Sequence, residues 1–162
     1  MIENGQARAY ALPGNTGCLP ALWAAEAAAR RGRKGHWREE LFRVITAEEV
    51  SELLRLVGRF VVVEGRVAAV ARTRRVTYIN FGPAWRDDFT VSLRNTAVAR
   101  SENGEARAEG LEGRTLRVRG WIERRNGPML ELSSLDEIEV IGGPMPAHQA
   151  EHAETPDKKT PR

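Results

Sequence analysis

The side chains best suited to chemistry in this sequence are arginines set beside aromatic residues. Arg72, Arg74 and Arg75 crowd the approach to Tyr78 and Asn80, Trp85 adjoins Arg86, and Arg124 and Arg125 form a second basic pair. Guanidinium groups hold phosphate oxygens and aromatic faces stack on planar rings, so this mixture suits a polyanion that carries bases. Asp87 and Asp88 weaken the positive field beside Trp85. His148, Glu151 and His152 have the letters of one zinc-protease motif. That chemistry needs a rigid helix, a third ligand and a cleft, and the proline-flanked stretch around them offers none. Cys18 is the single cysteine, which excludes an internal disulfide and a Cys-cluster zinc site; it reads as a small buried thiol. His36, beside Trp37, reads as a surface or helix-end residue. The pairs Asp87-Asp88 and Asp136-Glu137 send neighbours to opposite faces if they lie in strands, so neither makes a two-carboxylate site. No catalytic residue, metal ligand or cofactor is assigned.

The elements that must position these arginines are legible from periodicity. A helix is expected from Pro20 to about Arg33, alanine-rich and with Arg30 and Arg31 in its last turn. A second opens on a capping box, Thr46 to Glu49, continues through Val50, Leu53, Leu54 and Val57, and stops at Gly58. From Arg59 the period becomes two. Phe60 to Val70 is a β-branched run interrupted by Gly65, where a bend is expected. Val76–Phe81 and Phe89–Leu93 are short alternating strands. Thr96 to Leu111 suits a short helix broken at Asn103-Gly104. Leu116, Val118, Gly120 and Ile122 alternate with Arg117, Arg119, Trp121 and Glu123, and Asn126-Gly127 signals a hairpin. Met129–Leu132 and Glu137–Ile141 complete the set.

Three strands, a helical connector and a hairpin match a mainly β, α+β chain built on a five-stranded Greek-key barrel of the OB type, preceded by two helices. The domain expectation is residues 1–44 as an N-terminal piece that docks on the barrel, pairs with another chain or frays, 45–58 as a connecting helix, 59–141 as the barrel and 142–162 as a disordered tail. The whole chain has 162 residues, 41% hydrophobic and 29% charged, which is a globular balance. Its net charge of +3 permits a nucleic-acid partner without requiring one. No stretch approaches the roughly 20 apolar residues of a membrane span, and Met1 to Gly5 does not read as a secretory signal, so no membrane partner is expected and the default location is the cytoplasm.

Val63–Val67, Thr77–Gly82, Asp88–Val91, Leu111–Arg114 and Val118–Ile122, in that order, resemble OB-fold nucleic-acid-binding domains. More narrowly, the chain resembles the C-terminal portion of bacterial thermonuclease-like proteins. Asn4 to Tyr10, Cys18, Leu22 to Glu26, Ala29-Arg30 and Gly35-His36-Trp37 look like the last strand and terminal helix of a truncated nuclease domain. In that family the calcium-binding carboxylates, catalytic glutamate and catalytic arginines lie upstream of the strand that here begins near Met1. None carries over to a residue of this sequence. The resemblance therefore implies calcium only where an upstream nuclease segment exists.

In an OB barrel the loops joining strands 1 and 2 and strands 4 and 5 grip oligonucleotides. Arg72, Arg74 and Arg75 are expected in the first, Arg124 and Arg125 in the second, with Tyr78 and Asn80 on the face between them and Trp85 with Arg86 as a stacking surface beside a cation. The expected function is a non-catalytic module that binds single-stranded nucleic acid weakly and with little sequence preference. The alternatives are a fragment of a calcium-dependent nuclease, and a protein-interaction or self-association domain working through residues 4–37.

Overall fold

The computed structural model describes residues 1–11 and 14–143. In chain order the elements are α1 (Leu19–Arg31), β1 (Ile45–Thr46), α2 (Val50–Arg55), β2 (Phe60–Arg66), β3 (Ala69–Arg72), β4 (Val76–Asn80), β5 (Thr90–Arg94), α3 (Asn95–Arg100), α4 (Gly104–Glu109), β6 (Thr115–Trp121), β7 (Glu123–Arg125), β8 (Gly127–Leu132) and β9 (Glu139–Gly142). Short 3-10 turns fall at Ile2–Asn4, Gly35–Arg38, Glu40–Phe42 and Leu135–Glu137. The expected disordered tail and its His148, Glu151 and His152 lie outside the described residues, except that Gly142 closes β9. No helix among the described residues is long and apolar enough to cross a membrane.

The strands form a four-stranded sheet, β1-β2-β6-β9, and a five-stranded sheet, β3-β4-β5-β8-β7. Two segments join the sheets into a barrel. The valine-rich run leaves the first sheet as β2 and enters the second as β3, turning at Val67 and Ala68, whose N–H groups donate to Arg114 and Asn80 carbonyls at 2.8 Å each. The run at 115–125 does the same, with β6 in one sheet and β7 in the other, on either side of Ile122. β5 pairs with β8 in parallel, and β8 returns antiparallel to β7. That closure, from β2 and β3 to β4, β5 and β8, then to β7 and β6 and back to β2, is the OB barrel.

The bend in the first long strand lies two residues beyond Gly65, the expected position. Gly65 serves a different purpose. A Cβ there would stand 2.5 Å from the Ala47 Cβ and 2.7 Å from Phe81, so the glycine admits β1 and the end of β4 against the strand. Inside the barrel Val61, Val63, Ile79, Val91, Val118 and Leu130 meet in one core. Leu53 of α2 is fully buried at one end, and Val98, Ala108 and Leu111 of the helical connector pack into the same core. Burial of a leucine such as Leu53 is worth roughly 1.5–3 kcal/mol. The connector breaks between Ser101, where α3 stops, and Asn103, whose φ of 50° precedes α4, as the Asn-Gly pair leads one to expect.

The second expected helix is shorter than its apolar pattern. Thr46 is paired in β1, and α2 starts only at Val50. Glu49 does reach back, accepting from the Thr46 N–H at 2.9 Å, but it also takes the Arg43 guanidinium at 2.9 Å. Half of the capping box forms, and the other half is displaced because Thr46 is held extended beside β2.

Residues 1–44 dock on the barrel, one of the arrangements expected for them, but the strand expected over residues 4–10 does not form. Residues 4–10 join no sheet: Gly5 has a φ of 69°, and the Ala9 N–H is given to a carboxylate, not to a neighbouring strand. That carboxylate is Glu26 on α1, fully buried. It accepts from Arg119 Nη2 at 2.6 Å and Nε at 3.1 Å and from the Ala9 N–H at 2.8 Å. Arg119, only 5% exposed, also reaches Glu139 at 2.8 Å and lies 5.5 Å over the Trp23 ring. Arg117 extends the network to Glu64 at 2.6 Å and Glu139 at 2.8 Å. The N-terminal piece thus docks on the outer face of β2 and β6. Cys18, expected to be a buried thiol, is exposed where it caps the start of α1. Burial lowers the affinity of the Arg8 and Arg30 guanidiniums for their protons, with Arg117 adding repulsion at Arg30.

Replacing Glu26 with alanine strands Arg119 in a dry site and should cost about 3–5 kcal/mol in urea unfolding, whereas Glu26→Leu with Arg119→Met should recover most of it. A second expectation concerns acid. The Arg43 hydrogen bond and the Thr46 N–H lower the Glu49 pKa from 4.5 to about 2. A carboxylate with a depressed folded-state pKa stabilises the fold above its unfolded value and loses that contribution as pH falls through the folded one. Glu49→Gln should therefore flatten part of the stability loss between about pH 4.5 and about 2, measured by thermal unfolding across that range.

Candidate nucleic-acid interface

β4 alternates as expected. Thr77 and Ile79 turn into the protein, while Tyr78, half-buried, and Asn80 turn to the opposite face. β5 runs beside it with Tyr78 opposite Ser92 and Asn80 opposite Thr90, and β8 adds Met129 opposite Thr90. These residues floor a groove of about 470 Å³ on the outer face of the five-stranded sheet. Thr73, Trp85, Arg125 and Asn126 form its sides. The floor is polar but not charged: Thr90 Oγ1 donates to Asn80 Oδ1 at 3.2 Å, which leaves the Asn80 amide nitrogen free to donate outward.

Trp85 is 56% exposed, on the loop between β4 and β5. That loop is held by Asp88, whose carboxylate accepts from the Ala84 N–H at 2.7 Å. It is also held by the β7–β8 hairpin: a Cβ on Gly127 would lie 2.5 Å from the Asp87 carbonyl oxygen, so only glycine lets the hairpin come this close. The Arg86 guanidinium carbon sits 5.0 Å from the Trp85 ring centroid, a cation–π contact that leaves a cation next to the exposed ring. Asp87 and Asp88 lie in this loop and not in a strand, and Asp88 works as a loop brace.

The five arginines expected in two loops are arranged differently. Arg74 and Arg75 do sit on the turn between β3 and β4, both exposed. Asn95 staples that turn, accepting from Thr77 Oγ1 at 2.9 Å and donating to the Thr73 carbonyl at 3.0 Å. Arg72 lies in β3 opposite Thr77, hence on the face away from Tyr78, and pairs with Glu105 of α4 at 2.7 Å. Arg124 and Arg125 form β7 and not a loop. Arg125 lies on the groove face and pairs with Glu123 at 3.2 Å and Glu131 at 3.3 Å; Arg124, one residue out of step, lies on the other face. Alternation removes two of the five from the groove, because the hydrogen-bonded ladder extends further than the loop signals suggest. Sequence reasoning missed Thr73, Thr90, Ser92, Asn126 and Met129. For Thr90 and Ser92 a signal existed: they alternate with Val91 and Leu93, so they had to share one face.

Arg119 was missed as well, noted only as alternating with the apolar positions of its strand. The Val61-Val62-Val63 run was its signal. Val62 is fully buried yet stands opposite Arg119 on the outer face, and a strand apolar on both faces must be covered on both.

No family model matches the chain, and no curated protein matches it. Among solved structures it is similar to asparaginyl-tRNA synthetase from Pyrococcus horikoshii, with 16% identity and a TM-score of 0.46 over 64% of this chain and 24% of that one. It is similar also to aspartyl-tRNA synthetase from Entamoeba histolytica, with 11% identity and a TM-score of 0.46 over 67% of this chain and 23% of that one. An OBody, AM1L10, bound to hen egg-white lysozyme matches at 22% identity and a TM-score of 0.39, over 55% of this chain and 85% of that one. The chain spans about a quarter of each synthetase. Likenesses at this level carry no argument about function, and nothing among them supports the thermonuclease resemblance.

Because Arg72 is spent on an exposed pair with Glu105 and faces away from the groove, Arg72→Ala should change stability by only about 0–1 kcal/mol. It should leave the Trp85 emission spectrum of the folded protein unchanged, whereas Arg86→Ala should shift it.

Proposed function

We propose that the groove over β4, β5 and β8 binds single-stranded nucleic acid, weakly and with little sequence preference, and that the protein does no chemistry on it. The observation that carries this reading is the combination of exposed Trp85 and half-buried Tyr78 with a floor of Asn80, Thr90 and Ser92. Aromatic faces accept any base, while hydroxyl and amide groups satisfy base edges that would otherwise be desolvated without partners. Arg74, Arg75 and Arg86 supply charge for phosphates at the rim, and Arg125, shared with two glutamates, supplies less. A duplex does not suit the site, since its bases are already stacked and paired. The thermonuclease resemblance is a reading of residues 4–141 and enters here only as a possible outcome, cleavage in calcium. Contact with a protein partner through residues 4–37 is a second reading, favoured by exposed Tyr10 at their edge.

Titration of a labelled single-stranded oligonucleotide, followed by anisotropy at several salt concentrations with and without calcium, tests the proposal. Binding through about four phosphates predicts a log–log salt slope near about −3. Tyr78→Ala and Trp85→Ala should each weaken binding by roughly 1–3 kcal/mol. Replacing Arg74 and Arg75 together with alanine should flatten the slope by about 1.4. Strand shortening in calcium, or affinity indifferent to Tyr78 and Trp85, would overturn it.

A further inference from the structure

A second cavity, of about 420 Å³, opens on the other sheet, where residues 5–8 and 36–43 meet β2 and the end of β6. Its chemistry differs from that of the groove. Trp37, Phe42, Phe60 and Trp121 wall it, and Ile45 and Leu56 lie deeper. Apart from three arginines its polar lining side chains are exposed Gln6 and His36, set against a wall of rings, so the cavity offers a base edge few partners and an apolar side chain a large surface. Its lining opens to solvent at Trp121, 58% exposed, and Leu41, 53%, and the apolar surface continues past the cavity to Tyr10, 47% exposed, with Tyr10, Phe60 and Trp121 in successive edge-to-face contacts. Such an extension suits a chain that runs past the cavity better than a small molecule enclosed within it.

Charge fixes what kind of chain. The aromatic faces that would otherwise attract a cation are already occupied by Arg8, whose guanidinium carbon lies 4.9 Å from the Phe42 centroid and 5.6 Å from that of Trp37. Arg59 lines the same cavity, is exposed, and makes no ion pair among the described residues. No carboxylate lines it. Arg43 is there too but is held by Glu40 and Glu49.

We propose that this cavity is a docking site for an acidic peptide segment of a partner protein, one that seats an aromatic or leucine side chain between Trp37, Phe42, Phe60 and Trp121 and sets its carboxylates against Arg59 and Arg8. The protein then holds nucleic acid on one sheet and a protein partner on the other. This assignment does not depend on the groove binding nucleic acid.

The test uses the full chain and a fluorescein-labelled acidic peptide with a central Leu-Phe pair. Two controls accompany it, one with the Leu-Phe pair changed to Ser-Ser and one with its carboxylates changed to amides. The acidic apolar peptide should bind about tenfold more tightly than either control. Arg59→Glu and Trp121→Ala should each weaken it by about tenfold, with unchanged thermal unfolding because both side chains are exposed, and Trp85→Ala should leave it unaltered. Equal affinity for all three peptides, or affinity untouched in both cavity variants, overturns the proposal. So does loss of oligonucleotide binding in Arg59→Glu and Trp121→Ala with none in Trp85→Ala, which would make the cavity a nucleic-acid site.

Discussion

The buried pair of Glu26 and Arg119 fixes how the rest of the chain is arranged. Taking both charges out of water is costly, and their mutual attraction repays this only because other groups complete the site: the Ala9 N–H on Glu26 and Glu139 on Arg119. Each partner comes from a different stretch, so the site exists only when the N-terminal segment, α1, β6 and β9 are all in place. A hydrophobic contact tolerates sliding, whereas this one accepts a single register between α1 and the sheet. Among the described residues Arg119 Nη1 has no hydrogen-bond partner although it is buried, a residual cost that a leucine–methionine contact would not carry. The pair is therefore better understood as a device that selects one docking geometry than as a large net source of stability.

That geometry divides the barrel's surface. The outer face of β2 and β6 receives Glu26 and Trp23 of α1 at Arg119, where Val62 opposite becomes an interior residue, while Trp121 at the end of β6 stays open. Among the described residues nothing packs in this way over the outer face of β4, β5 and β8, which keeps its groove. Because β2/β3 and β6/β7 each pass from one sheet to the other, the two openings are built on shared backbone but face different ways. Their linings differ as well: Asn80, Thr90 and Ser92 stand between Tyr78 and Trp85 on the open sheet, whereas Trp37, Phe42, Phe60 and Trp121 crowd together with arginines where the N-terminal segment approaches.

Much of this architecture was legible from the amino acids. Strand alternation placed Tyr78 and Asn80 on one face, the Asn103-Gly104 break appeared where expected, and the order of elements gave the OB barrel. What escaped was everything that depends on long-range contact. Periodicity treats Arg117, Arg119 and Trp121 alike, since it cannot tell an outer face in water from one beneath a helix. Arg72 and Arg124 were counted with the groove because loop boundaries are set by ladder hydrogen bonds, which local composition marks poorly. Thr46 lost its capping role to β1, a pairing with β2 that spans intervening helix and turn. Residues 4–10 were given a strand through a family resemblance that nothing in the comparisons supports, and the Glu26 carboxylate holds that backbone instead.

The central claim is that nucleic acid lies on the five-stranded sheet and not on the face occupied by α1. The most direct measurement is a nitrogen–proton correlation spectrum of the labelled protein, titrated with a single-stranded oligonucleotide at low salt. The account predicts progressive shifts for the amides of Tyr78, Asn80, Ser92, Arg125 and the loop carrying Trp85, and for the Trp85 indole N–H, with those of Trp37 and Trp121 unmoved. Shifts gathered at Trp37, Phe60 and Trp121 with the groove silent, or no shifts at all, would contradict it.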